Sequence, residues 1–436
     1  MKILAGLALL VVSACAADPM ADQKAAPSPS PERPVPEQSA SGRPAPGRPA
    51  LVGFASLPAD TFTDGPRSGQ FITNSRPING RRPPFDRQPV QGISDVVAGP
   101  GSGDLLALSD NGFGAKANSA DYVLCVYRVT PAFRTPEGGG DATVAVDVAF
   151  RLRDPDRHVR WSIVADGTTY PGSDVPVPPE VRDGRLLTGA DFDVESMFKL
   201  DRTFWIGDEF GPFLLHVDAT GKLLGPPVEL PGDGMYSPDH PTKDPAGAKI
   251  PRGGGFEAMD LLPNWSGRPV ALFLEKPIAG EAGVRYFQYD ISEEAYGSGA
   301  AVRYPLPPGA TAVGGGAFVI PGFLLVEGDD GEGAAAAHKQ VALARGEGGR
   351  LLRVPLVDLL DVEDPHDLNG DGSPKFAFPF RTIGSVRLLG DGRTLLVVND
   401  NDYPFASGRA SGEPDPTEFI LIRLPRPLED YAGYQR

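Results

Sequence analysis

Apolar residues in this chain gather into short β-prone runs, and several of these runs end abruptly in acids. TLLVVNDNDYPF at 394–405 begins as a strand suited to burial and finishes in carboxylates and amides. TFWIGDEFGPF at 203–213 has the same design: an apolar run, then Asp208 and Glu209, then Phe, Gly and Pro. Aligned on this pattern, the chain holds five versions of one hairpin. They are SDVVAGPGSGDLLALSDNGFG from Ser94, ESMFKLDRTFWIGDEFGPF from Glu195, EAMDLLPNWSGRPVALFLEKP from Glu257, GAFVIPGFLLVEGDDGEG from Gly316 and SVRLLGDGRTLLVVNDNDYPF from Ser385. Each starts with a small or acidic residue, runs through an apolar strand, turns, and returns along a second strand that ends in acid.

The last four hairpins begin about 60 to 70 residues apart, the length of a four-stranded sheet with its connections. The first interval is about 101 residues, and the Gly- and Pro-rich pieces TPEGGGD and YPGSDVPVPPE place an insertion or a diverged repeat within 130–190. Radially repeated four-stranded antiparallel sheets are β-propeller blades. The expectation is six blades, with five to seven compatible with the spacing. In that architecture equivalent strand ends meet at one axis, so the recurring acids converge. A β-sandwich array is the alternative, and it would scatter them.

Composition supports the all-β reading: 54 Gly and 47 Pro along 436 residues favour many short strands joined by turns. A formal net charge of −16 argues against a nucleic-acid partner, whose phosphates call for Lys and Arg. The N-terminus, MKILAGLALLVVSACAAD, has a cation at Lys2 and an apolar run too short to span a bilayer, which reads as an export signal over residues 1–15. Val12-Ser13-Ala14-Cys15 resembles a bacterial lipobox, making Cys15 the expected lipidation site. Ala16 after it points to the outer membrane, with the chain facing the periplasm or exterior. Residues 16–50, rich in Pro, Ala and Ser, read as an extended tether, and 51–436 as the folded domain. Cys125 then remains as a lone thiol within a strand-like run, expected to be buried and unreactive.

The candidate site residues are Asp110, Asn111, Glu195, Asp208, Glu209, Glu257, Glu275, Glu327, Asp329, Asp400 and Asn401. Converging carboxylates repel one another unless a cation sits among them or they take up protons. Oxygen-only donors favour Ca²⁺, with Asp110, Glu195, Asp208, Glu209, Glu257, Glu275, Glu327, Asp400 and Asn401 as the expected ligand set and Glu209 and Glu257 as the expected catalytic acids. The five histidines show no zinc spacing. DLNGDG at 367–372 matches the first half of a calcium loop, but Phe378 stands where a bidentate Glu belongs, so a polar turn is the other reading. There is no G-x-S-x-G elbow, P-loop or convincing dinucleotide fingerprint.

FDVESMFKLDRTFWIGDEFGPFLLHVDATGKLL, GGGFEAMDLLP with ALFLEKP, and SVRLLGDGRTLLVVNDNDYPF together resemble the bacterial phytase-like ("esterase-like activity of phytase") family of exported β-propellers, over nearly all of 88–425. The positions of Gly316 and Ser385 depart from the family pattern, where acids are frequent. The resemblance implies hydrolysis of phosphate or carboxylic esters, with Ca²⁺ bridging a small anionic or ester substrate to an acidic channel. Lys276, beside Glu275, could bind the anion or could be an ordinary solvated lysine. A non-catalytic propeller that binds a ligand or a protein around a structural calcium ion is the alternative function, and lactonase-like chemistry a third. Any membrane contact is expected through the lipid alone.

Overall fold

The computed structural model describes residues 47–262, 268–297, 302–320 and 322–432. Cys15, the export signal and the tether up to residue 46 lie outside the described residues. Among the described residues the strands build five large sheets, and each of the five predicted hairpins forms the two innermost strands of one of them. The chain is a five-bladed β-propeller.

Blade one comprises Ile93–Ala98, Leu105–Ser109, Cys125–Ala132 and Thr143–Arg151; blade two comprises Val194–Leu200, Thr203–Asp208, Phe213–Asp218 and Val228–Glu229. Blade three is built on Phe256–Leu261, Pro269–Leu274 and Val284–Asp290, with two short outer strands. Blade four is Ala312–Val319, Gly322–Gly328, Lys339–Glu347 and Arg350–Asp358. Blade five takes Thr382–Leu388, Thr394–Asp400 and Thr417–Arg423 from the C-terminal end, and its next strand, Ala50–Leu57, from the other end of the chain. This antiparallel pairing closes the ring. The five inner strands pack against one another in sequence around the axis.

Five blades stand at the low end of the expected range because residues 130–190 do not form a blade of their own. Thr143–Arg151 is the outer strand of blade one, and the rest of the segment is an excursion with one short helix, Pro179–Gly184, before blade two begins. Tyr170, Val177 and Val181 anchor it in the core between blades one and two.

Packing explains why the strands read as continuous apolar runs. Each blade is covered on both faces by its neighbours, so alternate residues of one strand enter different cores. In Thr394–Asp400, Leu395 and Val397 face blade four, whereas Leu396 and Val398 face blade one. Cys125 is buried in that latter core, and burial pushes its thiol up to about 11, consistent with an inert packing role.

Candidate functional site

Each inner strand carries a β-bulge where it enters the axis. The register shifts fall between Ile93 and Asp95, Val194 and Ser196, Phe256 and Ala258, Val313 and Gly316, and Thr382 and Ser385. A bulge inserts one unpaired residue and re-aims side chains. In blades one to three the inserted residue is Ser94, Glu195 or Glu257. Blades four and five place glycine there, because their backbones touch: a Cβ on Gly315 would lie 1.7 Å from the Gly384 carbonyl oxygen, and one on Gly384 would lie 2.2 Å from that of Ile93. The structure thus moves the positions equivalent to Glu195 from the expected Gly316 and Ser385 to Gly315 and Gly384, and the departure of these two blades from an acidic pattern has a steric reason.

The second strands add a complete set of acids. The first ladder pairs past the bulges are Asp95 with Leu108, Ser196 with Gly207, Ala258 with Phe273, Gly316 with Leu325 and Ser385 with Val398. Two residues beyond each second partner stand Asp110, Glu209, Glu275, Glu327 and Asp400, one carboxyl per blade.

Blade two supplies the tightest group. One oxygen each from Asp193, Glu195 and Glu209 lie within 4.8 Å of one another. Asn111 holds Asp193 from blade one, its Nδ2 donating to Oδ2 at 2.8 Å. Glu209 Oε1 accepts the Gly255 N–H at 2.8 Å, and Gly255 must be glycine because a Cβ would meet the Glu209 Cα at 2.3 Å. Glu195 keeps part of its surface open.

Burial comes first among the causes that push the carboxyls of Asp110, Asp193, Glu195, Glu209, Glu257, Glu275 and Asp400 up, and neighbouring charges add to it. Asp110 and Asp193 rise to about 7, Asp110 with Asp193 as its first charged neighbour. Glu195 rises well above the ordinary range, chiefly through burial and then Glu257; Glu209 and Glu257 rise likewise, with Glu275 as their first charged neighbour. Asp400 rises through burial and then Asp402, which itself reaches about 6. Lys276 is the cation in contact, paired with Glu275 at 2.8 Å and donating to the Gly253 carbonyl at 2.5 Å. It serves as a counter-ion within the group and is only partly exposed.

Several expected ligands have other partners: Asp110 accepts the Gly112 N–H at 2.7 Å and the Gln91 side-chain amide at 3.0 Å, and Asp400 accepts the Asp402 N–H at 2.8 Å. Asp208 accepts the N–H groups of Asp193 and Gly211, both at 2.8 Å, and so braces the turn that carries Glu209. Asn401 accepts the Gly92 N–H at 3.2 Å and donates to the Asp415 carbonyl at 3.1 Å, tying blade five to blade one. Glu327 is fully buried in a two-pronged pair with Arg353, both contacts at 2.6 Å, and also takes the Tyr304 hydroxyl. Asp329 pairs with Lys339 at 3.1 Å. In the 367–372 segment, Asp367 accepts the Gly372 N–H and Asp371 that of Ser373, while Phe378 is fully buried, so the loop is a polar turn satisfied by its own backbone. Asp193 and Asp402 were not singled out in the sequence, although the alternation Asp191, Asp193, Glu195 leading into the strand carried the signal for the first.

Can these residues hold a metal ion? Asp193, Glu195 and Glu209 supply oxygen alone, Asp193 and Glu209 are buried while Glu195 is half-buried, and their charge is in excess of Lys276. That donor set suits a hard divalent cation.

The sequence matches the phytase-like family, described as "esterase-like activity of phytase", over residues 88–403. A comparison with curated proteins finds no match. Among solved structures, a thermostable family-43 glycoside hydrolase is similar at 11% identity, covering 77% of this chain and 93% of that one with a TM-score of 0.35. An exo-1,5-α-L-arabinanase from a bovine ruminal metagenomic library stands at 10% identity, 77% and 93% coverage and a TM-score of 0.33. A luciferin-regenerating enzyme stands at 12%, 75% and 76%, and 0.30. Likeness at this level says nothing about chemistry.

Proposed function

The chain belongs to the phytase-like family, and on that premise we propose that it hydrolyses phosphate or carboxylic esters with the help of a calcium ion at the axial acid cluster. The grouping of Asp193, Glu195 and Glu209 carries this reading. When bound there, the ion supplies a Lewis acid for an ester or phosphoryl oxygen. Asn111 and the Gly255 N–H orient two of the three carboxyls before any ligand arrives. Glu257, whose charge acts on Glu195 more strongly than that of any other group, stands beside the trio as the candidate proton carrier. Lys276 limits the repulsion between Glu275, Glu209 and Glu257.

Arg387 donates to both Asp95 oxygens, to the Val96 carbonyl and to the Gly316 carbonyl, and so ties blades five, one and four together. A panel of nitrophenyl phosphate, phytate, short acyl esters and lactones, assayed with calcium and with chelator, tests the function. Calcium-dependent turnover of an ester is the expected result. If no member of the panel is hydrolysed while calcium still binds, the non-catalytic propeller with a structural ion replaces this reading.

We further propose that the chain is exported and anchored through a lipid on Cys15, with the residues between Cys15 and Arg48, which already pairs with Glu363 of the folded domain at 3.0 Å, as the tether to the outer membrane. Labelled fatty acid should enter the wild-type chain and not Cys15→Ala. Absence of label from the wild type would refute the anchor.

A further inference from the structure

A cleft of about 900 Å³ is walled by the excursion between blades one and two, the loop after Asp110 and the loop before blade three. Its size is that of pockets that enclose small organic ligands. Ala117, Trp161, Ile163 and Pro241 give it an apolar wall, and Trp161 is held in place by stacking on Phe213, ring centres 5.2 Å apart. The charged groups on the lining are already matched from within the protein. Arg252 pairs with Asp239, and Asp166 with Arg185 and Arg157, both at 2.9 Å. Asp191 accepts the N–H groups of Val164 and Thr188 and the Thr188 hydroxyl, each at 2.9 Å. Lys116 donates to the Asp239 carbonyl at 3.1 Å, and its charge draws down the Asp191 and Asp208 carboxyls that burial pushes up.

Two stretches of chain join this cleft to the acid cluster. Asp191 lines the cleft and stands two residues before Asp193; Arg252 lines it, and a Cβ on the next residue, Gly253, would lie 3.7 Å from a Glu209 oxygen. A charged ligand in such a site either breaks one of the internal pairs or lies buried without a counter-charge, and both cost free energy. An anion is also repelled by the neighbouring carboxyls. An uncharged body with an apolar face meets neither cost, and it removes apolar wall from water.

We propose that this cleft seats the aryl or acyl body of an uncharged carboxylic ester against the wall of Ala117, Trp161, Ile163 and Pro241, and that the internal pairing of its charged groups excludes phosphate esters. The assignment chooses between the two ester classes of the hydrolase reading above and rests on that reading, but its test is made by binding alone. The probes share a naphthyl body and cannot be hydrolysed: 2-acetonaphthone is uncharged, 2-naphthoate an anion and 2-naphthylmethylammonium a cation. Titrated calorimetrically into the full chain, acetonaphthone should bind at least about tenfold more tightly than either ion, a difference of about 1.4 kcal/mol. Ala117→Trp and Thr169→Trp add bulk at two exposed positions of the lining. Each should weaken acetonaphthone binding by a similar factor and leave the thermal unfolding midpoint unchanged, and the pair guards against a single misfolded variant. Asp239→Asn unpairs Arg252 and should strengthen naphthoate binding, a gain that a damaged fold would not produce. The proposal is overturned if acetonaphthone does not bind, if naphthoate binds wild type as tightly, if acetonaphthone binding survives both Trp variants, or if Asp239→Asn leaves naphthoate binding unchanged. Turnover of naphthyl acetate and naphthyl phosphate is measured separately. Hydrolysis of neither, alongside the expected binding pattern, would sink the hydrolase reading and leave the cleft as a site for uncharged ligands; faster turnover of the phosphate would keep the hydrolase reading and overturn the choice of ester.

Discussion

Acids at equivalent strand positions do different work, and their neighbours decide which. Glu209 and Glu327 occupy the same place in blades two and four. Glu209 faces other carboxyls, whereas Glu327 meets Arg353 and the Tyr304 hydroxyl. Glu209→Gln should therefore lower calcium affinity by at least about 10- to 100-fold, the range for groups that support metal ligands. It should leave the unfolding midpoint in chelator unchanged or raised, since a repelling charge is removed. Glu327→Gln should leave calcium affinity unchanged and destabilise the fold by about 3–5 kcal/mol, because Arg353 loses its buried partner. Calcium titration and thermal unfolding of both variants separate the two roles, and equal losses of affinity would contradict the assignment. The acids themselves were legible in the sequence because they recur at one position of a repeat. The diversion of Glu327 was not, because Arg353 lies 26 residues away on the outer strand of the blade and Tyr304 belongs to the preceding blade.

At the level of strands, hairpins were the readable unit, since an apolar run closed by acid is local information. The bulges were not readable. They are defined by a register between two strands, and no residue type announces them except in retrospect, where glycine stands at the crowded axis. Fourth strands escaped as well: Val228–Glu229 has two residues, and the strand that completes blade five comes from the far end of the chain. The long first interval could hold either a blade or an excursion by length alone, and only packing distinguishes them. Gly315→Ala tests the bulge geometry. Its methyl would collide with the Gly384 carbonyl, a backbone atom with no rotamer to change, so a loss of about 1–3 kcal/mol is expected by analogy with overpacked cores. Gly225→Ala, where a Cβ meets nothing within 4 Å, is the control. A denaturant midpoint that moves equally in both would remove the steric account of the two glycine blades.

For the molecule as a whole, ring closure concentrates carboxyls that would be far apart in the unfolded chain, and this ties stability to pH and to cations. Asp110 and Asp193 are raised from an ordinary 3.8 to about 7, and Glu275 from 4.5 to about 7, each mainly by burial. A carboxyl whose folded value exceeds its unfolded one binds more protons folded than unfolded between the two values. Stability therefore falls as pH rises through that window, here from about 4 to 7, and the penalty is fully present above it. A divalent ion bound by the ionised cluster reverses the trend, because it binds the deprotonated folded form; at a hundredfold excess over its dissociation constant it adds about 2.7 kcal/mol. In chelator the unfolding midpoint should thus decline between pH 5 and pH 8, and added calcium should restore it at pH 8 while doing little at pH 5, where protons already occupy the site. Calcium binding at pH 6 should also release protons, measurable as a buffer-dependent heat. A midpoint that ignores calcium at pH 8 would mean that the acids at the axis are held apart by the protein alone, and the metal-assisted reading would fall with it.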